Sequence, residues 1–219
     1  MHCHFALNAG RLLAALAAVL AAWAGHSGRG AEPADQKKPS NPTLRCELLE
    51  MMRVDQEARK SLDLNDKTSW PEVVKTLERI DRAHTERMKA IVAEHGWPTR
   101  SMVGRDGASA AWLLVQHAGK AELAFMERSL ELIEAAAASH EASRKDVAYL
   151  LDRVRMYQGK PQRFGTQFIQ DADGRMVPHP IEDEAHLDER RKSLGLSSMS
   201  EQLEMIRQTY QQPRDQSRK

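Results

Sequence analysis

The stretch YLLDRVRMYQGKPQRFGTQ, residues 149–167, predicts a helix, a sharp stop and the beginning of a strand. The helix is expected to end at Gly159, because glycine commonly follows the last residue of a helix, and Pro161 prevents its continuation. Asp152 lies on the face opposite the apolar residues, with Arg153 beside it. A helix with two such faces is usually covered on both sides. We therefore expect this stretch to be buried and to form part of a polar site.

The remainder of the chain is dominated by apolar residues at helical spacing. Helices are expected to begin after capping residues such as Asn41 and Ser143 and to end at glycines such as Gly96. Two short strands, 163–169 and 175–177, are predicted to form a hairpin. The sequence thus predicts a mainly α, single-domain helical bundle of six or seven helices with one small β-hairpin.

The amino terminus has the features of an export signal. Arg11 precedes an apolar run, residues 12–23, that is too short to span a bilayer comfortably, and Ala22-Trp23-Ala24 offers a small-x-small cleavage pattern. We expect an exported protein, periplasmic or secreted, with no stable membrane span after cleavage; an uncleaved anchor is the alternative. The expected organisation is a signal peptide at 1–24, a flexible linker at 25–41, a single helical domain at 42–210 and a disordered tail at 211–219.

The composition limits the function classes. The 219 residues include 32 Lys and Arg against 31 Asp and Glu, a formal net charge of +1. Such a balance produces no long-range field for nucleic acid, so nucleic-acid binding is not expected. After removal of Cys3 with the signal, Cys46 has no second cysteine with which to form an internal disulfide. The fold must therefore be held by packing.

Gln116 and His117 end the most apolar helix, predicted over 108–118. An imidazole titrates near neutral pH and could act as a general base, oriented by a carboxylate such as Asp55, Asp81 or Asp152. The alternative is a structural histidine that is hydrogen-bonded inside the bundle.

Asp152 and Arg153 could form an arginine fork for an anionic ligand. The alternative is that they form ion pairs to the hairpin or to Asp55 or Arg59. Because adjacent residues on a helix do not face each other, we expect each to have a different partner.

Gln162, Thr166 and Gln167 could present amide and hydroxyl groups to a sugar or a peptide, and Gly165 would permit close approach of a ligand to the backbone. Alternatively, they satisfy backbone groups of an irregular hairpin. Asp81 and His84 could be two metal ligands on one helix face, but no paired histidine or cysteine motif accompanies them. We expect no metal centre and no cofactor.

Several segments together resemble a bacterial family known as a domain of unknown function. The segments carrying this resemblance are Asp55-Gln56-x-x-Arg59, Gly96-Trp97-Pro98, the run 111–118, Tyr149-Leu150-x-Asp152-Arg153, Gly159-x-Pro161-Gln162-x-x-Gly165-Thr166-Gln167 and Pro180-Ile181-x-Asp183. The resemblance covers roughly residues 44–210 and implies a single domain, with no activity attached to it. Phe164 stands where the family usually has Tyr, which puts a hydroxyl role there in doubt.

We therefore predict a polar pocket where the ends of several elements meet. The candidate catalytic residues are His117, Asp152 and Asp55. The candidate ligand-binding residues are Gln56, Arg59, Gln116, Arg153, Gln162, Thr166 and Gln167. The first function hypothesis is an exported module that binds a small molecule or a peptide. The alternatives are a metal-independent hydrolase or transferase with His117 as general base, and a structural polar network without a ligand site.

Overall fold

The computed structural model describes residues 38–60, 68–171 and 175–210. These residues form seven α-helices and one two-stranded antiparallel hairpin in a single compact domain, which confirms the predicted fold class. The elements are α1 (Pro42–Lys60), α2 (Trp70–His95), α3 (Arg100–Gln116), α4 (Leu123–Ala138), α5 (Arg144–Tyr157), β1 (Phe168–Gln170), β2 (Met176–Pro178), α6 (Leu187–Ser193) and α7 (Met199–Tyr210), with 3₁₀ turns at Lys120–Glu122 and Glu184–His186.

Helix α3 is the centre of the bundle. It contacts α1, α2, α4 and α5, and its apolar residues from Ala110 to Val115 are almost fully buried. A helix that is apolar on all sides must be enclosed by other elements. Its start differs from the prediction: the helix was expected to begin at Ala108, after a connection from Trp97 to Gly107, but α3 begins at Arg100, with Thr99 capping it. Gly104, at φ 76°, interrupts the regular helical geometry without ending the element.

Helix α5 is covered on both sides, as its two faces predicted. Leu150 and Val154 belong to the main core, while Asp152 and Arg153 are buried on the other side. The ring of Tyr149 meets the ring of Trp112 on α3 edge to face, with centroids 5.9 Å apart. This helix therefore joins the apolar core to the polar region that follows it in the chain.

The hairpin is shorter than predicted. Ile169 of β1 lies opposite Val177 of β2, and the strands begin at residues 168 and 176. Residues 163–167 form a loop instead of a strand, because their backbone groups bond to side chains of the domain, as described below. Phe168 packs with Ile206 of α7 in a small second core. The predicted turn at 171–174 lies mostly outside the described residues.

The segment before α1 is attached to the bundle. The backbone amides of Ser40 and Asn41 donate hydrogen bonds to the carbonyls of Ser101 and Met102. The end of the predicted linker at 25–41 is thus fixed against α3, and its residues up to 37 lie outside the described part, as do the predicted signal at 1–24 and tail at 211–219. Among the described helices, none is both long and apolar enough to cross a membrane.

Candidate functional site

A buried cluster of charged side chains forms where α1 ends beside the end of α3. Asp55 and Arg59 are four residues apart on α1, so both side chains lie on the same face. Arg59 Nη2 donates to Asp55 Oδ1 at 2.8 Å, and both side chains are at most 2% exposed. His117, at the C-cap of α3, places its Nδ1 2.9 Å from the same Asp55 oxygen. Gln56 donates to the other Asp55 oxygen at 2.7 Å.

The protonation of the cluster follows from its burial and its permanent cation. Burial alone would raise the pKa of Asp55, but His117 and the Arg59 guanidinium outweigh it and hold this pKa below its usual range. Burial, together with the positive charges of Arg59 and Arg153, lowers the pKa of His117 to about 4, although Asp55 acts in the opposite direction. At neutral pH the cluster therefore holds an ionised carboxylate and a neutral imidazole.

The tautomer of His117 is fixed by Asp55. Arg59 Nε also lies 3.2 Å from His117 Nδ1, but its hydrogen is directed at both Asp55 oxygens as well. An ionised carboxylate can only accept hydrogen bonds, so at the shorter Asp55 contact the hydrogen of the neutral imidazole is on Nδ1 and is donated to Asp55. The lone pair is consequently on Nε2. This atom is buried and has no hydrogen-bond partner among the described residues. An unpaired buried acceptor costs about 1–3 kcal/mol, and such groups are concentrated at functional sites.

Asp81 of α2 connects the cluster to the surface. Its Oδ1 accepts a short hydrogen bond from Arg59 Nη2, and its side chain is 19% exposed. Burial and the neighbouring charge of Asp55 raise the pKa of Asp81 to about 7, against the lowering effect of Arg59. Asp81 therefore titrates in the neutral range, whereas Asp55 and His117 do not.

A cleft of about 360 Å³ opens beside His117 between α2, the 119–122 segment and the end of α5. Asp55 and Arg59, which hold the Nδ1 side of the imidazole, do not line it, whereas His117 does. The side chain of His117 is 3% exposed and its Nε2 is buried, so the imidazole lies within the wall of the cleft. Its polar and aromatic lining is completed by Glu78, Asp81, Arg82, Thr85, Lys120, Glu122, Arg153 and Tyr157.

Asp152 lies in a different polar region and binds the backbone of the loop. Its two oxygens accept hydrogen bonds from the amides of Arg163, Phe164 and Thr166 at 2.7–3.1 Å and from the Thr166 hydroxyl at 3.0 Å. Burial raises the pKa of Asp152, against the lowering effect of these donors. These bonds fix the loop on α5, and His117 is oriented by Asp55 rather than by Asp152.

Three of the four glutamines of the predicted pocket bond to backbone groups, whereas Gln56 bonds to the side chain of Asp55. Gln162 donates to the carbonyls of Gln167 and His179 and accepts from the amide of Gln167. Gln116 and Gln167 both donate to the carbonyl of Tyr149, at 3.1 and 3.3 Å. These side chains therefore satisfy the irregular backbone around α5 and the hairpin, which is the alternative that the sequence left open.

Arg191 of α6 holds the same loop from its other side. Its side chain is almost fully buried, and it donates to the carbonyls of Phe164 and Ser197. Asp152 thus binds amides of the loop, and Arg191 binds a carbonyl. Gly165 has φ 65°, a conformation that favours glycine, and an added Cβ would lie 3.1 Å from Met199 Sδ, so both the backbone and the packing against α7 favour glycine here.

Asp55, Asp81 and His117 have potential metal-ligand atoms within 4.8 Å of one another. The Arg59 guanidinium already bonds to both carboxylates, so a positive charge occupies the position that a metal ion would take. His84, the other residue of the pair considered from the sequence, is not a member of this group. Burial lowers the pKa of His84, whose Nδ1 has no hydrogen-bond partner among the described residues.

The family of the chain is decided by comparison of its sequence with family models. The model of DUF6624, described as a family of unknown function, matches residues 42–213, which is most of the chain. The chain belongs to DUF6624. The match begins at the first residue of α1 and extends past the end of α7, so it includes the whole described helical body of this DUF6624 protein. No curated protein and no solved structure matches the chain.

The predicted site of this DUF6624 protein is thus divided into two regions. Asp55, Gln56, Arg59 and His117 form the charged cluster, and Arg153 joins His117 at the cleft. The loop network contains Asp152, Gln116, Gln162, Thr166 and Gln167. Sequence reasoning missed Arg82, Lys120 and Tyr157 as lining residues. Lys120 could have been found, since it lies just after the predicted helix 108–118 that carries Gln116 and His117 at its end.

Proposed function

We propose that this protein binds a small molecule or the side chain of a peptide in the cleft beside His117. The observation that carries the proposal is the orientation of the imidazole. Asp55 fixes the hydrogen on Nδ1, so Nε2 keeps a buried lone pair without a partner among the described residues, on a residue that lines the cleft. A ligand with an O–H or N–H group would satisfy this acceptor.

The size and the lining of the cleft support a small-molecule ligand. Its volume of about 360 Å³ is at the lower end of the usual range for ligand pockets, about 300–1,000 Å³. Leu77 and Tyr157 supply apolar and aromatic surface, while His117 and Arg153 supply convergent polar groups. This combination of apolar walls with a few polar groups is typical of binding sites.

Binding is favoured over catalysis by the electrostatics of His117. Efficient general bases have a pKa near the working pH, whereas burial and two neighbouring arginines lower the pKa of His117 to about 4. A neutral imidazole with so low a pKa is a weak base at pH 7 but a good hydrogen-bond acceptor.

Retention of a small molecule by the purified full chain tests the proposal. The protein would be incubated with a metabolite extract, separated from unbound compounds by gel filtration and analysed by mass spectrometry after denaturation. We expect a compound retained by the wild type and depleted in His117→Gln. His186→Gln is the matched control, because His186 is exposed and bonded to Asp183 outside the cleft. Equal retention by all three proteins, or none by the wild type, would contradict the proposal.

A second candidate, a metal-independent hydrolase or transferase, is favoured by one specific observation. The 2.9 Å contact of Asp55 with His117 Nδ1 gives the carboxylate–imidazole arrangement in which Nε2 can accept a proton from water or from a substrate hydroxyl. An identified ligand would be incubated with the protein and followed for turnover. If His117 is the general base, the His117→Gln variant has no turnover. Full turnover by this variant would exclude that role.

For the loop network around Asp152 and Gln162 we propose a structural role. Each of these side chains bonds to backbone groups that would otherwise be buried without partners. These hydrogen bonds are sufficient to explain why Asp152 and Gln162 are buried. They would then act on the cleft only by fixing the end of α5, which carries Arg153 and Tyr157.

We also propose that the protein is exported, from the arrangement of Arg11, the apolar run 12–23 and the small residues at 22 and 24. Expression of the full chain in a Gram-negative host, followed by fractionation and intact-mass measurement, tests this. The expected product is periplasmic or secreted and begins at Gly25. A cytoplasmic product that retains Met1 would contradict it.

A further inference from the structure

A groove of about 530 Å³ lies between the end of α4, the first half of α5 and the loop at Arg163 and Phe164. It shares no lining residue with the cleft beside His117. We propose that this groove is a second binding site, whose ligand is a small amphipathic anion with an apolar body and a single negative charge. The proposal is independent of the ligand that binds beside His117.

Phe164 is held at the groove by its backbone. Its amide donates to the two oxygens of Asp152, each at 3.1 Å, and its carbonyl accepts a hydrogen bond from Arg191. The ring of Phe164 is half-buried and, among the described residues, is packed into neither of the two apolar cores. Two buried charged side chains thus fix a residue whose ring lines the groove instead of filling a core.

Two other lining residues also combine a fixed backbone with an exposed side chain. The amide of Arg163 donates to Asp152 at 2.7 Å, and its carbonyl accepts from Arg190 at 2.9 Å. His140, between α4 and α5, has φ 63°, and its carbonyl accepts from Arg100 at 3.1 Å. Both side chains are exposed at the groove. Because the backbone is already ordered, a ligand that binds here loses little affinity to ordering of the protein.

The walls of the groove are apolar. Val147 and Leu151, one turn apart on α5, pack against the main core and also line the groove. Ala137 and Ala148 have small side chains, which leave room between α4 and α5, and Leu194 after α6 adds further apolar lining. Each of Val147, Leu151 and Leu194 is partly exposed. An apolar ligand body would remove this surface from water, which favours binding.

The charged residues of the groove favour one negative charge on the ligand. Arg144 is exposed and makes no ion pair with the described residues. Arg163 lies 3.9 Å from Glu182, but that carboxylate has its shorter contact with Arg155. Glu134 is the single acidic residue of the lining, so the two arginines exceed it by one charge. Since both arginines are exposed, they select for a monoanion while the apolar body provides most of the affinity.

Titration of the full chain with naphthoate at constant ionic strength, followed by NMR of the methyl groups, tests the proposal. We expect saturable shifts at Val147 and Leu151. The neutral analogue naphthalenemethanol should bind about two- to fivefold more weakly, as for single exposed charge pairs, and the cation naphthylmethylammonium more weakly still. Decanoate carries the same charge on an alkyl chain. Tighter binding of naphthoate than of decanoate identifies an aromatic body, and the reverse identifies an aliphatic one.

A variant that fills the groove locates the bound compound. Ala138 is exposed at the end of α4 and lines the groove, so a larger side chain there occupies the groove without entering the core. Ala138→Trp should weaken binding of naphthoate about tenfold or more, because the indole and the ligand compete for the same space. Ala124→Trp, at an exposed position of the same helix outside the groove, is the matched control and should bind as the wild type does.

Two further variants test the aromatic and the charged contacts. Phe164→Leu keeps the amide and the carbonyl that hold the loop but removes the ring, and should bind naphthoate about two- to tenfold more weakly. Arg144→Gln should bind it about two- to fivefold more weakly. Lys160→Gln, which removes an exposed cation outside the groove, should bind as the wild type does.

The proposal is overturned if naphthoate and decanoate leave Val147 and Leu151 unchanged, or if they shift only Val74 and Leu77, which line the cleft beside His117. It is also overturned if the neutral analogue binds as tightly as naphthoate, or if Ala138→Trp binds naphthoate as the wild type does. Shifts caused by an acetylated Leu-Leu-Glu peptide but by neither small compound would assign the groove to a polypeptide instead. Far-ultraviolet circular dichroism and thermal unfolding of each variant would establish that the fold is intact before binding is compared.

Discussion

Asp55 and His117 are 62 positions apart in the chain, yet Asp55 Oδ1 and His117 Nδ1 are 2.9 Å apart inside the bundle. The contact is possible because α1 packs along α3, so that the carboxyl end of α1 meets the C-cap of α3. Arg59, one turn after Asp55, bonds to the same oxygen. One packing interface therefore sets both the ionisation of Asp55 and the tautomer of His117.

Replacement of Asp55 by Asn should strongly destabilise the protein. It removes the more deeply buried of the two carboxylates that bond to the Arg59 guanidinium, and breaking a buried pair in this way costs about 3–5 kcal/mol. The free energy of unfolding in urea measures the effect. Glu50→Gln is the matched control on the same helix, because its pair with Arg53 is 60% exposed and should contribute little. Equal midpoints for the two variants would contradict the assignment of a buried ion pair.

The imidazole of His117 should remain neutral, with its hydrogen on Nδ1, down to about pH 5, because its pKa is lowered to about 4. Long-range ¹H–¹⁵N spectra of the histidine rings report both the charge and the tautomer. His186 provides the internal comparison, since its hydrogen bond to Asp183 raises its pKa above the usual value. Protonation of His117 before His186 on acidification would disprove this description of the cluster.

Asp81→Asn should make stability fall more steeply on acidification. The unfolded chain protonates residue 117 near pH 6.5 and the folded protein near 4, so lowering the pH through this interval favours unfolding. Asp81 has the opposite effect, because the folded protein binds its proton near pH 7 and the unfolded chain near 3.8. Removing Asp81 leaves the His117 effect uncompensated.

The measurement for Asp81→Asn is the free energy of unfolding by urea at several pH values between 6.5 and 4. Glu184→Gln, at an exposed position, serves as the control and should follow the wild type. If the free energy of unfolding of the Asp81 variant falls no more steeply with decreasing pH than that of the wild type, Asp81 does not take up a proton in this range.

Asp152→Asn should release the 163–166 loop. The carboxylate accepts from three backbone amides, whereas an asparagine amide has one accepting oxygen and turns an N–H group toward some of these donors. We expect a stability loss of at least about 2 kcal/mol. Hydrogen exchange should accelerate at the amides of Phe164 and Thr166. The amide of Gln162, which bonds to the Pro180 carbonyl, is the internal control.

Much of the fold could be predicted from the sequence because amphipathic spacing and helix stops are local signals. The two faces of α5 and the delivery of Gln116 and His117 by an apolar helix follow from spacing alone. The predicted start of α3 was wrong, because closely spaced glycines such as Gly104 and Gly107 are typical of a loop. Gly107 is instead a close-packing position, where an added Cβ would lie 2.8 Å from Val103 Cβ.

The site could be predicted only in part. The Asp55–Arg59 contact follows from their i, i+4 spacing, but the choice of Asp55 rather than Asp152 as the partner of His117 depends on which helices are neighbours. Asp152 was expected to bind another side chain or a ligand, but its partners are mainly backbone amides. Every residue except proline has a backbone amide, so such partners cannot be predicted from the pattern of residue types. In the sequence, Lys120 and Arg82 cannot be distinguished from ordinary exposed charges, because the cleft that they line is formed by three separate segments of the chain.

The contacts of Arg191 have a consequence for the order in which the protein matures. Arg191 is 27 residues after Phe164 in the chain, and its guanidinium donates both to the carbonyl of Phe164 in the loop and to the carbonyl of Ser197. During synthesis, that loop leaves the ribosome well before the side chain that secures it. Its final geometry can therefore be reached only after Arg191 has been synthesised, and a product that stops before Arg191 lacks this attachment.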